Sequence, residues 1–286
     1  MAATADTEKQ LAWEARQRPR AGIAAGVGTV GLVAFLLLQQ TFGSGSPTAS
    51  FLESLQRAAR PGPIDSLPSL QVPVFQYLHD HAGEVIASGV VGLVGYLGMG
   101  WAVGFLAVAA RARRPELPRW AVIVTILGGV LLALGILTLQ IGKVTKASSF
   151  LDGPRTVADA STSGGLFAFA QVMQIFGSLA LAIALVLVSL NAMRAGLLTR
   201  LFGVLGIITG ATLVIFPLPI VQVFWLGALA LLCLGVWPGG MPPAWQSGTA
   251  GPWPSARPQP AQKPAPVPAG AEPRPRPSGR GKRKKR

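Results

Sequence analysis

Residues 85–110 read VIASGVVGLVGYLGMGWAVGFLAVAA, a run without Lys, Arg, Asp or Glu, and the next four, Arg111, Ala112, Arg113 and Arg114, carry three cations. An apolar run of this kind matches the roughly 20 residues that cross a hydrocarbon core of about 30 Å at 1.5 Å rise per residue. Runs uncharged at their centres recur at 22–39, 120–141, 165–190, 197–216 and 220–237. Hydrocarbon offers no partner to an open sheet edge, so all six runs are expected to be helices. Composition agrees: 50% of residues are hydrophobic and 13% charged, with mean hydropathy +0.48, against about 25% charged in soluble domains. The expected fold is all-α, a polytopic integral membrane protein of six transmembrane helices.

Short loops rich in Lys and Arg stay cytoplasmic. With the amino terminus inside, the inner segments hold Lys9, Arg16, Arg18 and Arg20, then Arg111, Arg113, Arg114 and Arg119, then Arg194 and Arg200, and ten more after Trp237. Only Arg57, Arg60, Lys143, Lys146 and Arg155 fall outside. This partition predicts both termini in the cytoplasm, and the expected location is a bacterial plasma membrane. The first span is longer than the apolar core of a signal peptide and is read as uncleaved. Cys233 is the single cysteine, which excludes an intramolecular disulfide.

The chain divides into a cytoplasmic tail at 1–21, a membrane domain at 22–237 and a second tail at 238–286. The last holds 13 of the 24 prolines and is expected to be disordered, since it cannot bury enough apolar area to offset its ordering entropy. In the 40–84 loop, Ser50 and Glu53 have capping-box spacing, and the piece from Val74 to His81 is expected to run into helix two. Phe216-Pro217-Leu218-Pro219 predicts a tight turn between helices five and six.

The stretch Ala192-Met193-Arg194-Ala195-Gly196-Leu197-Leu198-Thr199-Arg200-Leu201-Phe202-Gly203-Val204-Leu205-Gly206 is followed by Phe224-Trp225, by Trp237-Pro238-Gly239-Gly240 and by Pro243-Ala244-Trp245. Together these resemble a group of uncharacterised polytopic membrane proteins of actinobacteria. The likeness covers about the last third of the membrane domain. It implies a membrane location and no particular activity.

Small residues dominate the patterning inside the spans. Gly89, Gly92, Gly95 and Gly98 in helix two, and Gly203, Gly206 and Gly210 in helix five, make grooves in which another helix can approach closely. Packing is the plain account of these glycines; a substrate path along helices two and five is the functional one. Gln171 and Gln174 share a face of helix four and are candidates to bond a neighbouring helix or a substrate. Gly26-Val27-Gly28-Thr29-Val30-Gly31 matches GxGxxG, yet no strand precedes it, so a helix rich in small residues is expected rather than a dinucleotide site.

His79, Asp80, His81 and Glu84 are the nearest approach to a ligand cluster. Residues two apart on a helix point about 200° away from each other, so the two imidazoles cannot easily share an ion, and no metal, cofactor or catalytic residue is assigned. No Asp, Glu, His, Lys or Arg sits at mid-span, which removes the usual carriers of proton relays and voltage sensing. The terminal Arg280, Lys282, Arg283, Lys284, Lys285 and Arg286 are expected to contact anionic lipid of the inner leaflet, with cytoplasmic proteins as further partners and nucleic acid not expected. The expected function is a structural or accessory membrane protein without enzymatic activity; the alternative is a small-molecule transporter or channel.

Overall fold

A computed structural model describes residues 2–48, 51–59, 67–162, 164–215, 219–238 and 240–251. Among them the chain forms the helices α1 (Ala2–Gly45), α2 (Phe51–Ala58), α3 (Val72–Asp80), α4 (Ala82–Arg113), α5 (Arg119–Asp152), α6 (Val157–Thr162), α7 (Gly165–Arg194), α8 (Arg200–Thr212), α9 (Pro219–Leu234) and α10 (Pro243–Ser247). Extended pairing among the described residues is limited to one antiparallel bridge, Pro68 with Thr156. Helices α1, α4, α5 and α7 are long and apolar enough to cross a membrane.

The remaining two apolar helices are shorter than their sequence runs. At 1.5 Å per residue, the 13 residues of α8 and the 16 of α9 reach about 20 and 24 Å, short of a core of about 30 Å. Local chemistry sets their limits. Gly196 takes a left-handed φ of +77° and ends α7, with its N–H on the Met193 carbonyl and the Leu197 N–H on that of Ala192. Three residues on, the Thr199 hydroxyl accepts the Phe202 N–H at 3.1 Å and caps α8. The Phe216-Pro217-Leu218 part of the expected turn lies outside the described residues.

The six apolar helices form a closed ring in which each packs on the next: α1, α4, α5, α7, α8, α9 and back to α1. Neighbours around it run antiparallel, so the start of α1, the end of α4, the 195–199 corner and the end of α9 share one end. Most of the described arginines collect there, making it the basic end of the bundle. A single core of buried residues from all six helices fills the ring, with Trp225, Leu181, Leu185 and Met99 among its largest members.

Two boundaries read from the sequence need correction. Residues 2–21 do not form a tail apart from the packed helices: α1 is continuous from Ala2 through Pro19 to Gly45, and Glu14 and Ala21 are buried. Nor does the packed domain stop at 237, because α10 follows and buries Ala244 and Trp245. Residues 252–286, including the terminal basic run, lie outside the described residues, as does Ser50 of the expected capping box. The expected run from Val74 into helix two is nearly continuous, α3 and α4 being separated by His81 alone.

Candidate functional site

The glycines of α4 are filled by neighbours on two sides. On the α1 side, a Cβ on Gly95 would lie 2.9 Å from Leu32 Cδ2, one on Gly98 would strike the Ala24 carbonyl, and Gly28 and Gly31 of the GxGxxG stretch lie opposite. On the α5 side, Gly89 faces the side chain of Gln140, and Gly100 lies 3.0 Å from the Gly129 Cα by the same measure. Gly92 meets both, through Phe35 of α1 and Ile136 of α5. The glycines of α8 meet other helices: Gly203 faces Met193 and Gly210 the Ala182 carbonyl of α7, while Gly206 is closed by Ser189 and the Trp225 indole. The two sets therefore line separate seams, and α4 and α8 are not neighbours in the ring.

A third close seam joins α5 to α7. Gly128, Gly135 and Gly142 recur every seven residues along α5 and admit the backbone of α7 at Leu181, Gln174 and Phe167, within 2.7–2.9 Å of where a Cβ would sit. Gly177 of α7 returns the contact, against the backbone of Leu132. The signal was the seven-residue repeat, which keeps one helix face toward a partner. Gln174 is half-buried in this seam, whereas Gln171 is exposed on the outer face of α7.

The cluster at 79–84 is drawn apart. His79 Nδ1 lies 3.2 Å from the Ser148 hydroxyl of α5, and His81 Nδ1 lies 2.9 Å from the Tyr77 carbonyl one helical turn back. Asp80 and Glu84 are exposed, and no group of three or more His, Cys, Asp or Glu able to hold a metal is gathered among the described residues.

The basic end holds the most elaborate polar arrangement. Arg113, at the end of α4, donates from Nη1 and Nη2 to the two carboxylate oxygens of Glu14 on α1, at 2.7 and 2.8 Å. Its Nε and Nη2 also donate to the Ala244 carbonyl at 3.0 and 2.9 Å, and Nη1 to the Ala109 carbonyl at 3.0 Å. All five guanidinium N–H groups thus have acceptors, the condition under which a buried ion pair is tolerated. Gln10 adds a fifth residue, donating to Glu14 Oε1 at 2.9 Å.

Aromatic rings enclose this clasp. The Arg113 guanidinium lies 5.4 Å from the Trp245 ring centroid, and Trp245 stacks on Phe105, which in turn meets Trp13. The Trp245 indole donates to the Leu197 carbonyl at 3.2 Å, and the Gly251 N–H to the Ala195 carbonyl at 3.3 Å. The last described residues are thereby fastened to the corner capped by Gly196. Chemically, the clasp is saturated: its charges are spent on one another and on backbone.

A groove of about 430 Å³ opens beside it, between α1, α4 and α5, lined by Trp13, Trp101, Phe105, Ile126 and Val130 with Gln17. Its walls are apolar, and the flanking hollows include Arg20 on one side and Arg111 and Arg119 on the other. Compared with known family models, curated proteins and solved structures, the chain matches none.

Proposed function

We propose that this chain is a structural or accessory integral protein of a bacterial plasma membrane, with six crossings, both termini cytoplasmic and a basic tail that engages anionic lipid or cytoplasmic partners. The clasp supports this reading best. By tying Ala244 to Arg113 and Gly251 to the 195–199 corner, it fixes the root of the tail at the end where Arg111, Arg114, Arg119, Arg194 and Arg200 gather. Each Lys or Arg held near an anionic inner leaflet gains about 1 kcal/mol, so a tail rooted there and ending in six cations binds that surface. Six crossings ask the residues flanking α8 and α9 to span the remaining thickness. A transport path lined jointly by α4 and α8 has less support, because those helices do not adjoin.

The full chain in nanodiscs of zwitterionic lipid, mixed with free vesicles containing phosphatidylglycerol, tests the tail. Flotation should recover protein with the vesicles at low salt, less at high salt, and little after deletion of Arg280 to Arg286. Recovery insensitive to salt or to that deletion overturns the proposal.

A further inference from the structure

We propose that the end of the bundle opposite the clasp carries a binding site for a small monocarboxylate bearing a hydroxyl or ammonium group, a site that goes beyond the structural reading above and does not depend on it. A pocket of about 220 Å³ lies where the last turns of α1 meet α3, the start of α4 and the middle of α5. It is smaller than the roughly 300–1,000 Å³ of drug-sized sites, which limits the guest to a few-carbon molecule.

Its lining dictates the chemistry. Lys143 reaches the pocket half-buried, with no salt bridge to an acid among the described residues, so a guest of opposite charge finds an uncommitted ammonium there. One lysine balances one negative charge, which favours a carboxylate over a phosphate dianion. Gln140 also lines the pocket; it is 1% exposed, and its Oε1 has no hydrogen-bond partner. A buried carbonyl without a donor is costly; this oxygen is shielded in the empty pocket, so a guest O–H or N–H removes that cost by drawing the Gln140 amide round to meet it.

The surrounding packing holds these groups in place. Gly89 of α4 leaves room for the Gln140 stem, a Cβ there falling 3.0 Å from Gln140 Cβ. Tyr77 lines the pocket with its ring against His81 at 4.2 Å between centroids, and Phe42, Leu78 and Val85 supply apolar wall for a short carbon chain. The pocket thus offers a cation for a carboxylate, an amide in its wall that can turn to accept from a donor group, and a dry side for the rest.

Calorimetric titration of the nanodisc-embedded full chain with glycolate, lactate, glycine and alanine tests the site, with propionate, lactamide and inorganic phosphate as controls. At least one of the four should bind saturably, while propionate, lacking the donor, and lactamide, lacking the charge, should bind about tenfold more weakly or worse. Lys143→Met and Gln140→Leu should each cost about tenfold in affinity, with unfolding of the unliganded protein unchanged or, for Gln140→Leu, shifted upward. Gly43→Trp guards against misfolded variants: Gly43 lines the pocket, a Cβ there meets nothing within 4 Å, and an indole should block binding without disturbing the fold. No saturable binding by any of the four overturns the site, as does phosphate binding equally well or unchanged affinity in all three variants.

Discussion

Glu14 and Arg113 lie 99 residues apart in the sequence and meet through two parallel hydrogen bonds, with side chains 3% and 0% exposed. Removing one partner strands the other charge in a dry site. Glu14→Ala or Arg113→Ala should lower the stability of the detergent-solubilised protein by about 3–5 kcal/mol, read from its denaturation curve. The pair Glu14→Leu with Arg113→Met should recover much of that loss, because two apolar side chains leave no charge uncompensated. A double variant as unstable as the sum of the singles would contradict this account.

Two truncations separate the packed α10 segment from the basic run beyond it. Ending the chain after Gly251 should leave thermal unfolding unchanged. Ending it after Pro238 removes Trp245 from Arg113, Phe105 and the Leu197 carbonyl, a loss of about 3–5 kcal/mol by comparison with core Trp deletions. Equal unfolding temperatures for the two truncated chains would show the α10 contacts to be dispensable.

Glycines should sort by what faces them. Gly177→Ala and Gly98→Ala push a methyl into backbone of α5 and α1 and should each cost about 1–3 kcal/mol, whereas Gly26→Ala and Gly83→Ala, with nothing within 4 Å, should be neutral or slightly stabilising. Gln171→Leu, on an exposed face, should change stability by no more than about 0.5 kcal/mol. Urea or thermal unfolding of the series checks the ranking.

Reporter fusions check the orientation. A fusion after Arg286 should report cytoplasm, and fusions near Pro63 or Asp152 the exterior, as the distribution of Lys and Arg requires. A carboxyl terminus outside the cell would refute six crossings with an inner amino terminus.

The long spans were legible because hydropathy is a local property: α4, α5 and α7 each announce themselves within one window of sequence. What the sequence hid is what joins distant segments. Glu8, Lys9, Glu14 and Arg16 read as a solvated tail, yet Glu14 faces inward because Arg113 supplies its counter-charge from α4. Trp245 sits among prolines and glycines, where composition argues against a core; an isolated tryptophan following Pro-Ala was the only hint of a buried anchor. In the pocket opposite the clasp, Gln140 is by sequence one more polar residue in an apolar helix, and its orphaned carbonyl emerges only once α4 packs against it at Gly89. The helix-four glutamines drew notice for sharing a face, but the α5 seam takes in only one of them: Gly135 admits the backbone at Gln174, while Gln171 is left exposed.

The clasp also ties an early stage of synthesis to a late one. Glu14 leaves the ribosome early and Arg113 later, yet two of the five Arg113 N–H groups wait for a carbonyl at position 244, translated only after every apolar helix. A nascent chain halted before that point holds a guanidinium with part of its shell empty at the foot of α1 and α4. The joint therefore closes only once residue 244 has followed all six apolar helices, and a chain halted before that point should hold the start of α1 less firmly.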